Sequence, residues 1–321
     1  MKILITGGTG FIGSALVRRL VAEGHDEVFV LDKDISNTFR IESVKDKINL
    51  IEGDILNPKS YIDKIINIKP DIVYHLAWYA EPGKYLTSIE NLEHLKSGID
   101  FIKFLFERRV KKIIVTGTCF EYDTSYSYLS ESTPEKPEHL YSSCKLALKK
   151  VAEQLSYIYE IPLIWARIFY LYGPYEHPNR LIPYVINSLL NNKKVELRSH
   201  GLQVRDYLHV DDVAQGLICL LKEEKTSVYN IGSGNPVRVR DLVNRIGEIL
   251  GKKELISFAT DTTPLNEPMF ICADNTKLKK LGFKPEQSMK NYLTRVTQNS
   301  ITQGVKFNGN YVLPSRRDKI I

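Results

Sequence analysis

Short apolar runs alternate with longer amphipathic stretches through the first half of the chain. Runs of strand length fall at 2–6, 27–31, 49–51, 72–75, 112–118 and 163–169, rich in Ile, Val and Leu and bounded by Gly, Pro or Asp. Between them apolar residues recur at helical spacing over 10–23, 59–66, 86–109 and 140–159. Strands alternating with helices in this way predict an α/β fold, a doubly wound parallel sheet covered on both faces.

After Pro174 the alternation loses its regularity. The pattern predicts helices over 180–190 and 211–222, short strands at 195–197, 205–209 and 228–231, and an amphipathic helix over 239–250. This divides the chain into a first domain over 1–170, with segments crossing back to it near 205–234, and a smaller α/β domain over 171–321. The stretch 299–321 has weak periodicity and ends in the charged run Ser315-Arg316-Arg317-Asp318-Lys319. It reads as a partner-dependent arm or a loose tail.

Composition narrows the class of protein. The 321 residues are 43% hydrophobic, enough for a large core. Lys and Arg outnumber Asp and Glu by 44 to 38, a net charge of +6 that is not gathered into basic runs, which argues against nucleic acid. Cys119, Cys144, Cys219 and Cys272 form no Cys-x-x-Cys pair and read as reduced thiols, with neither a disulfide set nor a metal site. Met1-Lys2 runs straight into an apolar strand and no apolar run reaches membrane-spanning length, so the expectation is a soluble, cytoplasmic protein without a membrane partner.

The first strand ends in Thr6-Gly7-Gly8-Thr9-Gly10-Phe11-Ile12-Gly13. Glycines there permit a tight turn, close approach of a pyrophosphate to the backbone, and close packing of helix on strand. The phosphates then face free N–H groups at the helix N-terminus. Asp32 ends the second strand, placed to accept hydrogen bonds from the adenosine ribose and to repel a 2′-phosphate, which favours NAD and leaves NADP open. Lys33 and Arg40 are cations that either offset that repulsion or are solvated loop charges. Asp54, in Glu52-Gly53-Asp54-Ile55, is placed to meet adenine or to serve as a turn residue.

Tyr141 and Lys145 lie four apart on a predicted helix, hence on one face. As an isolated pair this is an ordinary amphipathic-helix pattern. Beside a nicotinamide it is a proton-transfer device, because an ammonium favours the phenolate of a tyrosine whose ordinary pKa is about 10. Thr118, after the fifth strand, offers a hydroxyl that both donates and accepts. Thr116 is its competitor, and a structural threonine is the third reading.

With these motifs in order, the chain resembles the extended short-chain dehydrogenase/reductases, and more narrowly the NAD-dependent epimerase/dehydratase family that modifies nucleotide-activated sugars. The resemblance runs over roughly residues 1–290. It includes His75-Leu76-Ala77, Arg167 to Tyr172-Gly173-Pro174, Arg205-Asp206-Tyr207-Leu208-His209-Val210-Asp211-Asp212 and Val228 to Gly234. It implies a Rossmann NAD-binding domain, a C-terminal substrate-binding domain and a catalytic set of Thr118, Tyr141 and Lys145. The implied cofactor contacts are Gly7, Gly10, Phe11, Ile12, Gly13, Asp32, Asp54, Ile55, Leu76 and Ala77 with Tyr141 and Lys145. Thr118, Tyr170, Arg180 and Arg205 are the implied contacts to a nucleotide-diphosphate sugar. It also implies a homodimer formed by the helices at 86–109 and 140–159.

Departures from the family pattern bear on the reaction. The 4,6-dehydratases place an Asp-Glu pair after the threonine, where this chain has Cys119 and Phe120. The common Asn three residues after the strand arginine is Tyr170, and Pro264-Leu265-Asn266-Glu267-Pro268 lacks an arginine usual in that region. Trp78 and Tyr79 stand where small residues are usual and either narrow the sugar pocket or pack on the nearby helix. Gly117 to Tyr122 looks like sugar 4-ketoreductases. The reading therefore leans to a 4-keto-sugar reductase or dehydrogenase, with a 4-epimerase as the alternative. A 4,6-dehydratase and a non-catalytic NAD-binding sensor stand further back.

Overall fold

The computed structural model describes residues 1–25, 27–260 and 268–303. In chain order the first half gives β1 (Ile3–Thr6), α1 (Phe11–Ala22), β2 (Val28–Asp32), β3 (Asn49–Glu52), α2 (Ile62–Ile68), β4 (Ile72–His75), α3 (Glu90–Glu107), β5 (Lys112–Thr118), β6 (Tyr128–Leu129), α4 (Leu140–Tyr159), β7 (Leu163–Ile168) and β8 (Tyr170–Tyr172). The second half adds α5 (Leu181–Leu190), β9 (Val195–Leu197), β10 (Val204–His209), α6 (Val210–Cys219), β11 (Ser227–Ile231), β12 (Pro236–Arg238), α7 (Val239–Leu250), β13 (Ile256–Phe258), β14 (Phe270–Ala273), α8 (Thr276–Lys280) and α9 (Met289–Gln303).

Seven parallel strands form the main sheet in the order β11-β7-β5-β4-β1-β2-β3. Its strands are apolar on both sides because both faces are covered, as expected of a parallel sheet. Successive residues alternate between two cores. Ile3 and Ile5 of β1, Ile72 and Tyr74 of β4 and Ile114 of β5 face α1 and α6. Leu4, Val73, Ile113 and Val115 face α3 and α4. Chain order reverses between β1 and β4, whose last paired residues are Thr6 and His75. A crevice at the carboxyl ends of strands at such a reversal is where doubly wound sheets bind ligands.

A smaller sheet, β12-β10-β14-β6 with β8 also on β10, stands beyond those strand ends. Asp206 of β10 is fully buried and accepts hydrogen bonds from the backbone N–H of Ser233, Gly234 and Ala273, tying β10 to the turn after β11 and to β14. A third core is built from α5, α7 and α9 with β9 and β13. All four cysteines are buried and free. No helix among the described residues is long and apolar enough to cross a membrane.

Most predicted elements lie within a few residues of their expected ends. The helix expected from 86 begins only at Glu90, because buried Asn91 donates to the backbone carbonyls of Tyr85 and Ser88 and holds that stretch in turns. The strands β6, β8, β12, β13 and β14 are two to four residues long, too short for a periodicity to declare them. Helix α9 takes up the first residues of the stretch read as an arm or tail, whose remainder, 304–321, lies outside the described residues. So do Pro264 to Glu267 of the run noted for lacking arginine.

Candidate active site

The glycine loop closes on itself at the reversal point. Gly7 has φ +72°, and Gly10 N–H donates to its carbonyl at 3.1 Å. A Cβ on Gly13 would lie 2.1 Å from Gly7 O, so only glycine lets α1 start this close to β1. The first turn of α1 (Phe11, Ile12, Gly13) follows Gly10, and the leading N–H groups of a helix have no intrahelical acceptor, which suits an anion. Leu76 and Ala77 donate their N–H groups to Thr6 Oγ1, both at 3.2 Å, bringing the end of β4 against the loop.

Asp32 is tied to the same loop. Its Oδ2 accepts from Thr9 N–H at 3.1 Å and Thr9 Oγ1 at 2.6 Å, and its Oδ1 from Lys33 N–H at 2.9 Å. Arg40 donates to Tyr175 O at 3.2–3.3 Å and stacks on Phe39, so it anchors the 173–180 loop. Asp54 accepts from Leu56 N–H at 2.9 Å in a local turn, and Ile55 is buried in the core under α3. Geometrically this end of the sheet fits a dinucleotide: a cradle that any Cβ would fill, and a carboxylate held at its rim.

Helix α4 begins at Leu140, placing Tyr141 in its first turn, where its N–H donates to Leu86 O at 3.1 Å. Lys145 is buried one turn on, and its Nζ donates to Thr116 O at 2.8 Å. The Thr118 hydroxyl lies near enough to the Tyr141 phenol to favour its ionised form. The Thr116 hydroxyl points instead to His75 O, at 3.5 Å. Of the two candidate threonines, Thr118 is therefore the one that reaches the phenol.

The electrostatics differ from the simple pair read in the sequence. Burial holds the Tyr141 phenol well above its ordinary value, with Tyr85, Glu121 and Cys119 adding to the rise and the Thr118 hydroxyl opposing it. Burial lowers Lys145 to about 7, with Glu121 opposing. Desolvation thus outweighs the expected pull of the ammonium on the phenol, because the ammonium is engaged with Thr116 and a ring face. His75 bonds Thr6 Oγ1 through Nδ1 at 2.9 Å, and its buried Nε2 has no hydrogen-bond partner among the described residues. Burial pushes it down to about 3, so it is neutral.

Two groups at the site carried no role in the sequence reading. Glu121 is fully buried beneath Thr118, accepting Thr118 N–H at 2.7 Å, Trp165 Nε1 at 3.0 Å and Arg167 Nε at 2.7 Å. The signal was available: an arginine inside the apolar strand 163–168 requires a buried carboxylate. Tyr85 meets Tyr141 edge-on with centroids 4.9 Å apart. It sits in a turn, where no pattern marks it.

Arg180 caps the N-terminus of α5, with its guanidinium 5.3 Å from the Tyr85 ring. The Arg205 guanidinium lies 5.3 Å from the Tyr170 ring and donates to Pro268 O at 2.6 Å. Phe120, Tyr170 and Tyr207 form a chain of rings, with centroids 6.1 and 5.8 Å apart, and Arg205 lies against the middle one. Among the described residues no three His, Cys, Asp or Glu side chains group as a metal site.

A site of this kind, at the reversal point of a Rossmann sheet with Thr, Tyr and Lys gathered beside a glycine cradle, defines a class of dehydrogenase-type enzymes. The family model for the NAD dependent epimerase/dehydratase family matches residues 3–232, and the chain belongs to that family of enzymes. It is similar to protein CapI of Staphylococcus aureus, 28% identical over 90% of this chain and 95% of that one. It is also similar to dTDP-D-glucose 4,6-dehydratase of Bos taurus, 28% identical over 90% of this chain and 85% of that one. Among solved structures, dTDP-glucose 4,6-dehydratase from Bacillus anthracis str. Ames, in complex with NAD, superposes with a TM-score of 0.82 at 25% identity, covering 94% of this chain and 97% of that chain.

Proposed function

We propose that the protein is an NAD-dependent oxidoreductase acting at carbon 4 of a nucleotide-diphosphate sugar, reducing a 4-keto sugar or running the reverse oxidation. Use of NAD is supported by the glycine cradle, by the Asp32 carboxylate and by the NAD bound to the Bacillus anthracis relative. The nucleotide sugar is supported by the dTDP-glucose named for two of the relatives. Bound NAD accepts hydride, and its reduced form donates it. The chain's own part is the proton. Tyr141 Oη gives its proton to the 4-oxygen in reduction and takes one back in oxidation. The Thr118 hydroxyl steadies the oxygen in both states. Lys145 supplies the charge that brings the phenolate within reach once substrate displaces other contacts. Arg180, over the Tyr85 ring, and Arg205, over the Tyr170 ring, suit the diphosphate.

One observation carries the choice of reaction: the three residues after Thr118 offer no free acid–base group. Cys119 has its thiol pushed up to about 12 by burial, and Phe120 has no ionisable side chain. Glu121, the next carboxyl, is sealed in and paired with Arg167. Elimination of water from a sugar needs a general acid and a base in these places, and redox chemistry does not. Against epimerisation, a keto sugar must turn over within the site, and the rings of Trp78 and Tyr85 crowd Tyr141.

A second copy of the chain is the partner best suited to the α3/α4 face. Leu92, Val151, Tyr157 and Ile158 are large apolar side chains exposed there, and Ile158 is 72% exposed. A nucleotide-diphospho-4-keto-6-deoxyhexose supplied with deuterium-labelled NADH tests the reaction. Deuterium at carbon 4 of the product agrees with reduction. Inversion at carbon 4 of the corresponding 4-hydroxy sugar, with NAD present and not consumed, overturns it.

A further inference from the structure

The Lys145 ammonium has a neighbour that neither its charge nor its motif requires. Its Nζ lies 3.9 Å from the centroid of the Trp78 ring, over the indole face. The ring is fixed rather than incidental. Trp78 Nε1 donates to Asn91 Oδ1 at 2.9 Å, and Asn91, 0% exposed, donates its own N–H groups to Tyr85 O at 2.7 Å and Ser88 O at 2.8 Å. The imidazole of His94 on α3 packs on the indole with centroids 5.5 Å apart at 34°. One buried amide thus sets both aromatic residues that flank Tyr141, Tyr85 at 4.9 Å and Trp78 at 6.5 Å.

The charged and titratable groups around Lys145 leave it short of anionic partners. From the turn after β5 comes Glu121, already bonded to Arg167 and Trp165. From β4 comes His75 and from α3 His94; burial lowers them to about 3 and about 4, so both are neutral near pH 7. From α4 itself comes the neutral phenol of Tyr141. The Thr116 carbonyl and the indole face are then the nearest electron-rich groups. A desolvated ammonium over a tryptophan face gains more than an exposed one.

We propose that Trp78 is a positioning residue for Lys145: its indole face holds the ammonium charged and in place beside Tyr141, and Asn91 clamps the indole. The inference rests on the reading of Tyr141 and Lys145 as the reacting pair. It also accounts for the large aromatic residue directly after His75-Leu76-Ala77.

The test is a pH titration of Lys145 in the full-length protein, followed by NMR of 13Cε-labelled lysine and assigned by the signal missing from Lys145→Arg. The Trp78→Leu variant should titrate about one pH unit lower than wild type, since the apolar burial stays and the ring face goes. Trp78→Phe should stay near wild type, and Asn91→Ala should fall between. Equal midpoints in wild type and Trp78→Leu, or equal shifts for Leu and Phe, would overturn the proposal. Should Trp78→Leu fail to fold, fluorescence decides. The emission difference between wild type and Trp78→Phe isolates one of the two tryptophans. It should follow pH with the Lys145 midpoint and lose that dependence in Lys145→Met; a pH-dependence that persists in Lys145→Met counts against the proposal. Both readouts are independent of turnover. A shifted midpoint in a protein inactive on every nucleotide sugar supports the clamp and removes the functional reading. An unshifted midpoint in an active enzyme removes the clamp alone.

Discussion

Arg167 Nε donates to Glu121 Oε2 at 2.7 Å, and neither side chain is more than 1% exposed. The pair sits directly under the catalytic candidates, because the same carboxylate accepts Thr118 N–H. Glu121→Ala would leave the guanidinium buried with one fewer partner and Thr118 loose. The expected cost is about 3–5 kcal/mol of stability, measured by denaturant unfolding. A loss below about 1 kcal/mol would mean that Glu135, the other carboxylate on Arg167, carries the charge alone.

Tyr141→Phe removes the proton donor and leaves the ring packed against Tyr85. Turnover should fall by about 10²–10⁴-fold, the range for loss of a general acid–base group, while NAD affinity by calorimetry stays within about threefold. Thr118→Val should lower kcat as well, and Thr118→Ser should restore most of it, since the hydroxyl is the feature that favours ionisation of the phenol. An active Tyr141→Phe enzyme would point to a different proton route.

Asp32→Ser keeps a hydrogen-bonding group for Thr9 and removes the charge that repels a 2′-phosphate. The ratio of NAD to NADP affinity should drop by at least about tenfold, which is about 1.4 kcal/mol. Calorimetry with both nucleotides measures it. An unchanged ratio would move cofactor discrimination elsewhere.

Glu176 supplies a pH dependence of stability. Burial raises its carboxyl from 4.5 to about 8, Arg180 opposing, and its buried Oε2 has no hydrogen-bond partner among the described residues. The folded state therefore prefers the protonated acid. That contribution is fully present below the unfolded value of about 4.5 and is lost as pH climbs through about 8. Glu176→Gln stays neutral, so its Tm should exceed that of wild type by a few degrees above about pH 8 and approach it near pH 5. Parallel Tm curves would show that the carboxyl is charged in the folded protein.

The sheet was legible because β1, β4, β5 and β7 are buried on both faces, so apolar residues run consecutively through them and polar ones fall mostly at their ends. The glycine loop and Asp32 were legible because pyrophosphate binding constrains backbone geometry, and a backbone constraint writes itself as glycine at fixed spacing. The Tyr141 and Lys145 pairing was legible as one helical turn. Their surroundings were not. Tyr85 and Asn91 act from a turn and a helix start, where contacts are long-range and leave no local period. The phenol's shift runs opposite to the direction expected from the pair for a related reason: helical spacing gives proximity, while the cost of burial depends on the whole enclosure. Trp78 was visible as an oversized residue, and only its distance to Lys145 gives it a role.

Net redox chemistry at carbon 4 fixes a stoichiometry between cofactor and product, and that ratio is measurable. Purified protein, NADH and a nucleotide-diphospho-4-keto-6-deoxyhexose should give one NADH oxidised for each sugar reduced, followed by absorbance of the reduced nicotinamide and by NMR of the product. Sugar conversion with no net consumption of NADH would contradict the account and establish an isomerising enzyme in its place.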